Sequence, residues 1–182
     1  MKIVVIHNNP NVRSGTEKML QAFLDGIRDK RQVTVEWFDV HRMNIMSCEL
    51  CNACKTGRID DCIIRDDMIQ VYKSAYEADL ILFGFPIVCW HVPGRLKIFI
   101  DRLFAMNQDV FTKRQRDIAI FYTYHVEDAE MSGVSEIERF FSKGAIVMNL
   151  NIIHDFSAYI PKDGKIENYI DVGRLRELGN QY

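Results

Sequence analysis

The chain has 182 residues, 48% of them hydrophobic and 26% charged, a size and balance that suit one globular unit with a sizeable core. Lys plus Arg number 23 against 25 Asp plus Glu, a net charge of -2, so no basic excess points to nucleic acid or an anionic membrane surface. The longest apolar run, Leu80 to Trp90, is broken by Pro86 and is too short to span a bilayer. The aromatic content of 11% argues against disorder. The chain opens on a strand-like pattern rather than a charged-then-apolar leader, so a cytoplasmic location is expected.

In chain order, Met1 to His7 carries the β-branched run Ile3-Val4-Val5-Ile6 and is predicted as a buried strand. Asn8-Asn9-Pro10-Asn11 is loop by composition. Ser14 fits a helix N-cap with Glu17 placed for a capping box, and Met19, Leu20, Phe23, Leu24 and Ile27 follow at helical spacing. Val33 to Asp39 alternates as a second strand. Met43 to Arg65 has no period and is read as an excursion loop. Asp66-Asp67 is expected to cap a helix with the stripe Met68, Val71, Tyr72 and Ala75. Leu80 to Phe85 is a third strand; Pro93 fits the first turn of a helix bearing Leu96, Phe99, Ile100, Leu103 and Phe104. Ile118 to Tyr124 is predicted as strand four, Val134 to Phe141 as helix and Ala145 to Ile152 as strand five. From His154 the pattern is mixed, with a turn at Lys162-Asp163-Gly164 and a short helix from Gly173.

Buried, unalternating strands that alternate with helices argue for an α/β fold with a parallel sheet covered on both faces. Such sheets bind ligands beyond the carboxyl ends of their strands. Three loops are therefore singled out: 8–16, 86–93 and 123–132. No repeat or linker divides the chain, so residues 1–182 are expected to form a single domain with a cysteine-rich insertion at about 43–65.

The first loop joins a strand to a helix N-terminus through small polar residues, Asn9, Asn11, Ser14, Gly15 and Thr16 among them. Unpaired N–H groups and the helix dipole make such a terminus an anion cradle. It has neither G-x-G-x-x-G nor G-x-x-x-x-G-K-[ST], which disfavours a dinucleotide fingerprint and a P-loop. A monophosphate ester fits better than a triphosphate, since no loop lysine stands by; a merely capped helix is the plain alternative. The second loop, with Pro86, Ile87, Val88, Cys89, Trp90 and His91, is apolar and aromatic. It could line a flat ring or simply pack at a sheet edge or subunit contact. Together, an aromatic platform and an anion site on one sheet edge suit flavin mononucleotide (FMN).

These residues resemble the NADPH-dependent FMN reductase family, flavodoxin-like in fold. Asn9-Pro10-Asn11 and Ser14-Gly15-Thr16-Glu17 stand where that family has its Ser-Pro-Arg, Gly-Asn-Thr phosphate loop, with Asn9, Asn11 and Gly15 departing from it. Ala78-Asp79 through Pro86, then Gly94-Arg95-Leu96-Lys97-Ile98-Phe99-Ile100-Asp101-Arg102, is similar to the family's A-D…P…G-x-L-K-x-F-I-D-R stretch and is the more specific signal. The resemblance covers roughly residues 1–150. It implies a three-layer sandwich with a five-stranded parallel sheet in the order 2-1-3-4-5. It also implies ring contacts from Pro86 to His91 and from the segment holding Thr123 and His125. A common Tyr-Trp pair is here Cys89-Trp90.

Four of the five cysteines form Cys48-x2-Cys51-x2-Cys54-x7-Cys62. Local thiols in a chain of this kind point to metal or redox chemistry. Thiolates are soft ligands suited to iron–sulfur clusters or zinc; structural thiols and a thiol–disulfide pair remain open. The spacing, followed by Asp66-Asp67-Met68, resembles the iron–sulfur flavoprotein branch of the same family, which implies a [4Fe-4S] cluster near the flavin.

The expected activity is an FMN-dependent NAD(P)H oxidoreductase passing electrons to a small acceptor or, with a cluster, a ferredoxin-like partner. The rivals are a non-catalytic flavodoxin-like carrier and a zinc-stabilised interaction domain. The resemblance also implies a homodimer or homotetramer. No catalytic residue is assigned. His7, His41 and His154 are read as structural or exposed, and Met43, Met46 and Met68 as packing. Lys97, Asp101 and Arg102 are read as surface or interface ion pairs.

Overall fold

The computed structural model describes residues 1–10, 14–56, 59, 61–106 and 111–182. Its five strands are β1 (Lys2–His7), β2 (Thr34–Asp39), β3 (Leu80–Pro86), β4 (Arg116–Tyr124) and β5 (Leu150–Tyr159). They pair in parallel in the order β2-β1-β3-β4-β5, the order the resemblance implies.

Strand alternation divides the core into two layers. Val4, Ile6, Ile81, Phe83, Ile118 and Ile120 face one side. There they meet α2 (Met68–Glu77), α3 (Gly94–Leu103) and α4 (Val134–Met148). Ile3, Val5, Leu80, Leu82, Ala119 and Phe121 face the other side, against α1 (Gly15–Lys30) and α5 (Val172–Gln181). The predicted stripe of α1 is fully buried at all five positions. Burial on both faces is why these strands read as unbroken apolar runs.

The fifth strand is displaced from its expected place. Ala145 to Met148 continue the helix, and Asn149, at φ 51 and ψ 50, ends it in the left-handed conformation. The strand then runs from Leu150 to Tyr159. The run Ala145-Ile146-Val147-Met148 is short and wholly apolar, so periodicity does not separate helix from strand there; the left-handed Asn is the stop signal. The tail is also more ordered than its mixed pattern implies. Its helix α5 lies so close to α1 that a Cβ at Gly179 would stand 2.1 Å from Phe23 O, and one at Gly26 2.0 Å from Arg176 O.

Candidate functional site

The strand order changes direction between β1 and β3: β2 is added on the outer side of β1, whereas β3, β4 and β5 follow in turn on the other side. A hollow of about 430 Å³ opens at their carboxyl ends, within the range of roughly 300–1,000 Å³ usual for small-molecule sites. Asn9, Ser14, Gly15, Pro86, Val88, Thr123 and His125 line it, seven of the expected cofactor residues. Asn11 lies outside the described residues.

Local bonds explain the shape. Ser14 Oγ accepts from Glu17 N at 3.2 Å and so caps α1 as predicted. Ser14 Oγ also bonds Thr16 Oγ1 at 2.9 Å, and Asn9 Nδ2 donates to Thr16 Oγ1 at 3.5 Å. Thr16 is fully buried; it braces Ser14 and Asn9 from beneath rather than lining the hollow. The strand ends are tied to one another. Asn8 N donates to Gly84 O (2.9 Å), Ile87 N to Thr123 O (2.8 Å) and Ile160 N to Tyr124 O (2.8 Å). His125 Nδ1 lies 2.6 Å from Ile160 O. A carbonyl only accepts, so Nδ1 donates in this bond.

Ile87, Cys89, Trp90 and His91 stand beside the hollow without lining it. Val88 and His91 pair across a tight turn, each backbone N donating to the other's carbonyl at 2.9 and 3.1 Å. Its central residues, Cys89 (φ 48) and Trp90 (φ 63), are both left-handed, as a mirror-image hairpin turn requires. Neither is glycine or asparagine, so the turn is strained. Trp90 is 63% exposed, and its Nε1 donates to Met131 O at 3.1 Å. His91 meets the Phe140 ring edge-on at 5.0 Å.

The hollow also includes Asn8, from the 8–16 loop but not named as a cofactor residue, His41, read as structural or exposed, and three residues not expected there, Arg95, Ile160 and Ile166. Ile160 and Ile166 come from the tail. Arg95 brings a positive charge to the hollow from the start of α3. Asn8 is 3% exposed, and its Oδ1 has no partner among the described residues. Buried acceptors are seldom left so, and this one belongs to a residue that borders the hollow. A helix N-terminus, a cation, an orphaned acceptor and apolar walls of Pro86, Val88 and Ile160 together fit a phosphorylated, polyhydroxylated ring compound such as FMN.

The four cysteines of the excursion meet in a second, narrow hollow, lined by Cys48, Cys51, Cys54 and Cys62 with Leu50, Arg102 and Phe104. Leu50 (φ 51) and Asn52 (φ 56) are left-handed and curl the segment between the thiols. Burial pushes the Cys54 thiol above its ordinary pKa. Among the described residues no group of three or more His, Cys, Asp or Glu is arranged to hold a metal ion. One tetrahedral zinc would need its sulfurs about 3.8 Å apart, from a Zn–S bond of about 2.3 Å. A cube of iron and sulfide takes its ligands at its corners, further apart. The donor set is four soft thiols and suits that group by its chemistry.

Arg102 departs from its expected place in a surface or interface pair. Its side chain has no exposure and pairs with Asp66, itself 2% exposed. Lys97 and Asp101 do form an exposed pair, at 2.6 Å. Burial favours the neutral form of Asp66, but bonds from Arg102, Met46 N and Met68 N outweigh it and hold the carboxyl below its usual range. A larger hollow of about 670 Å³ lies between α3 and α4 over Phe83 and Ile118. Its walls are almost wholly apolar, without the convergent polar groups of the sheet-edge hollow.

The profile of the NADPH-dependent FMN reductase family matches residues 1–126. The chain is 28% identical over 116 residues to an iron-sulfur flavoprotein of Methanosarcina thermophila, covering 64% of this chain and 59% of that protein. It is 32% identical over 117 residues to an iron-sulfur flavoprotein of Methanocaldococcus jannaschii, covering 63% and 58%. The matches thus span a little under two thirds of those relatives' own lengths. A solved NAD(P)H:quinone oxidoreductase from Methanothermobacter marburgensis shares the fold with a TM-score of 0.74 at 19% identity, covering 100% of this chain and 96% of that one. No helix among the described residues is long and apolar enough to cross a membrane. With the profile spanning residues 1–126 of 182 and the expected sheet order in place, the chain belongs to the NADPH-dependent FMN reductase family.

Proposed function

We propose that the protein is an FMN-dependent NAD(P)H oxidoreductase that passes electrons from a reduced nicotinamide through the flavin to a small acceptor. The observation that carries this reading is the hollow at the β1–β3 switch point, where the α1 N-terminus and Asn8 face apolar walls.

Bound FMN supplies the hydride and electron chemistry; the chain supplies grip and orientation. Ser14 and the first-turn N–H groups of α1 hold the phosphate, and Arg95 adds positive charge. Asn8 and Asn9 take ribityl hydroxyls. Pro86, Val88, Thr123 and His125 border the ring, with Ile87, Cys89, Trp90 and His91 shaping that border from behind. Asn11 belongs to the same loop and to the same proposal. Thr16 acts by holding Ser14 in place. Residues 1–182 work as one FMN-binding domain with the insertion at about 43–65, in the cytoplasm.

The reading extends to the thiol hollow. Cys48, Cys51, Cys54 and Cys62 would hold a [4Fe-4S] cluster, supported by the four-thiol lining and by the names of the matched relatives. With the cluster, a ferredoxin-like protein is the proposed partner; without it, flavin, quinone or azo-type acceptors are. A homodimer or homotetramer is part of the same reading. Its support is the exposed pair Ile146 and Val147, 83% and 63% accessible, of which Val147 lines the apolar hollow. Turnover decides the central point: NAD(P)H oxidation by the FMN-loaded chain is expected, and FMN binding with no NAD(P)H oxidation would leave a carrier instead.

A further inference from the structure

A buried cation with one donor to spare lies against the thiol hollow. Arg102 lines that hollow together with all four cysteines of the excursion. Its Nη1 donates to Asp66 Oδ2 at 2.6 Å and to Met46 O at 2.7 Å. Its Nη2 donates to Asp66 Oδ1 at 3.1 Å and to Ile64 O at 3.4 Å. The fork of the guanidinium is thereby spent on the two ends of the excursion. The Nε–H is buried and has no partner among the described residues. Tyr72 stands nearby and donates its O–H to the backbone carbonyl of Arg102 at 2.9 Å. Cys62 is close enough for its charge to favour that of Arg102.

A fully buried guanidinium with an orphaned N–H beside four thiols is a donor awaiting an acceptor. We propose that Arg102 Nε–H donates a hydrogen bond to sulfur in the thiol hollow and that Arg102 thereby sets how readily the group held there takes up an electron. The inference rests on the thiol-hollow reading above. Hydrogen bonds to cluster sulfur and nearby fixed charge are general levers on reduction potential. NAD(P)H would give its hydride, two electrons with one proton, to the flavin, which would pass the electrons on one at a time to the group in the hollow; no bond to Arg102 forms or breaks. Its proton stays in place; Asp66 already offsets the guanidinium charge, so Arg102 acts on the group through the N–H dipole directed at sulfur in a region of low dielectric. Arg102 is a positioning and tuning residue, not a catalytic one.

The experiment uses the full chain, reconstituted anaerobically with ferrous iron and sulfide and carrying either ordinary or ¹⁵N-labelled arginine. Pulsed EPR of the reduced wild type should show an arginine ¹⁵N coupling, and Arg102→Lys should lose it. In Arg102→Gln the reduced-to-oxidised ratio at fixed poise should fall at least about tenfold, about 59 mV for one electron. Iron and sulfide content separates the two readings. No uptake by the wild type overturns the thiol-hollow reading and this inference with it. Uptake of one cluster per chain with no arginine coupling, or with an unchanged potential in Arg102→Gln, overturns the role of Arg102 alone. If neither variant folds, the wild-type coupling decides.

Discussion

Gly133 lies directly beneath Trp90: a Cβ at position 133 would stand 2.4 Å from Trp90 O and 2.6 Å from its Cα. Gly133 also has φ +86, so both space and backbone exclude a side chain there. The strained Cys89–Trp90 turn is thus seated on the segment before α4, and Trp90 Nε1 donates to Met131 in the same segment.

Gly133→Ala should therefore destabilise the fold by about 1–3 kcal/mol and release Trp90. The chain has 2 tryptophans, so a Trp37→Phe background isolates Trp90. In that background Gly133→Ala should lower the thermal midpoint and change the Trp90 emission maximum. An unchanged midpoint and spectrum would mean that the turn is not held from below.

Asp66 ties Arg102 and Met46 N to the start of α2, where its Oδ1 also accepts from Met68 N at 3.1 Å. Asp66→Asn leaves a buried cation without its counter-charge and should cost about 3–5 kcal/mol at pH 7. The carboxyl's folded pKa lies below the ordinary 3.8. Its contribution is therefore complete above the unfolded value and declines as pH falls through the folded one. Urea titrations of wild type and Asp66→Asn should differ by a constant amount near neutrality and converge in strong acid.

His7 ends β1 beneath the cofactor hollow, with its ring 6.4 Å from Trp37. Burial lowers its pKa below 6.5, outweighing the charges of Glu17 and Asp39. A base that is harder to protonate when folded costs stability in acid: the unfolded chain binds the extra proton, so stability falls as pH drops below 6.5. Relative to wild type, His7→Gln should gain stability progressively as pH is lowered from 7.5 to 5. Parallel pH profiles for the two would remove His7 from the account.

Ser14 is assigned both a cap and a phosphate contact. Ser14→Ala should cost about 0.5–2 kcal/mol through the lost cap. Ser14→Asp keeps a capping oxygen but puts a negative charge where the phosphate is placed. It should weaken FMN binding at least about tenfold through repulsion and a lost charged hydrogen bond, while riboflavin, which has no phosphate, binds as before. Equal weakening of both ligands would place the phosphate elsewhere.

β1, β3 and β4 were legible because they are buried on both faces and read as plain apolar runs between turn signals; β2 was legible from its alternation. The capping box at Ser14 and Glu17 was legible for a different reason: its two residues are three apart and act locally. The Ala145–Met148 run misled because four apolar residues satisfy either period, and the stop is a single left-handed Asn149. Arg95, Ile160 and Ile166 join the hollow through tertiary geometry, from a helix start and a tail of mixed pattern, so no spacing marks them. Arg102 was placed on the surface by residue type. Its burial depends on Asp66, 36 positions away, and on carbonyls of an excursion with no period. The four cysteines are marked by their spacing, and the loop brings all four to the lining of one narrow hollow, where among the described residues no group of three is arranged to hold a metal ion.

The central claim is that the β1–β3 edge hollow binds FMN. Titration of the purified chain with FMN, followed by a crystal structure of the product, tests it most directly. The account predicts saturable uptake of one FMN per chain, with the phosphate at Ser14 and the α1 N-terminus and the ring beside Pro86 and Thr123. No saturable uptake, or FMN seated in the apolar hollow between α3 and α4, would contradict it.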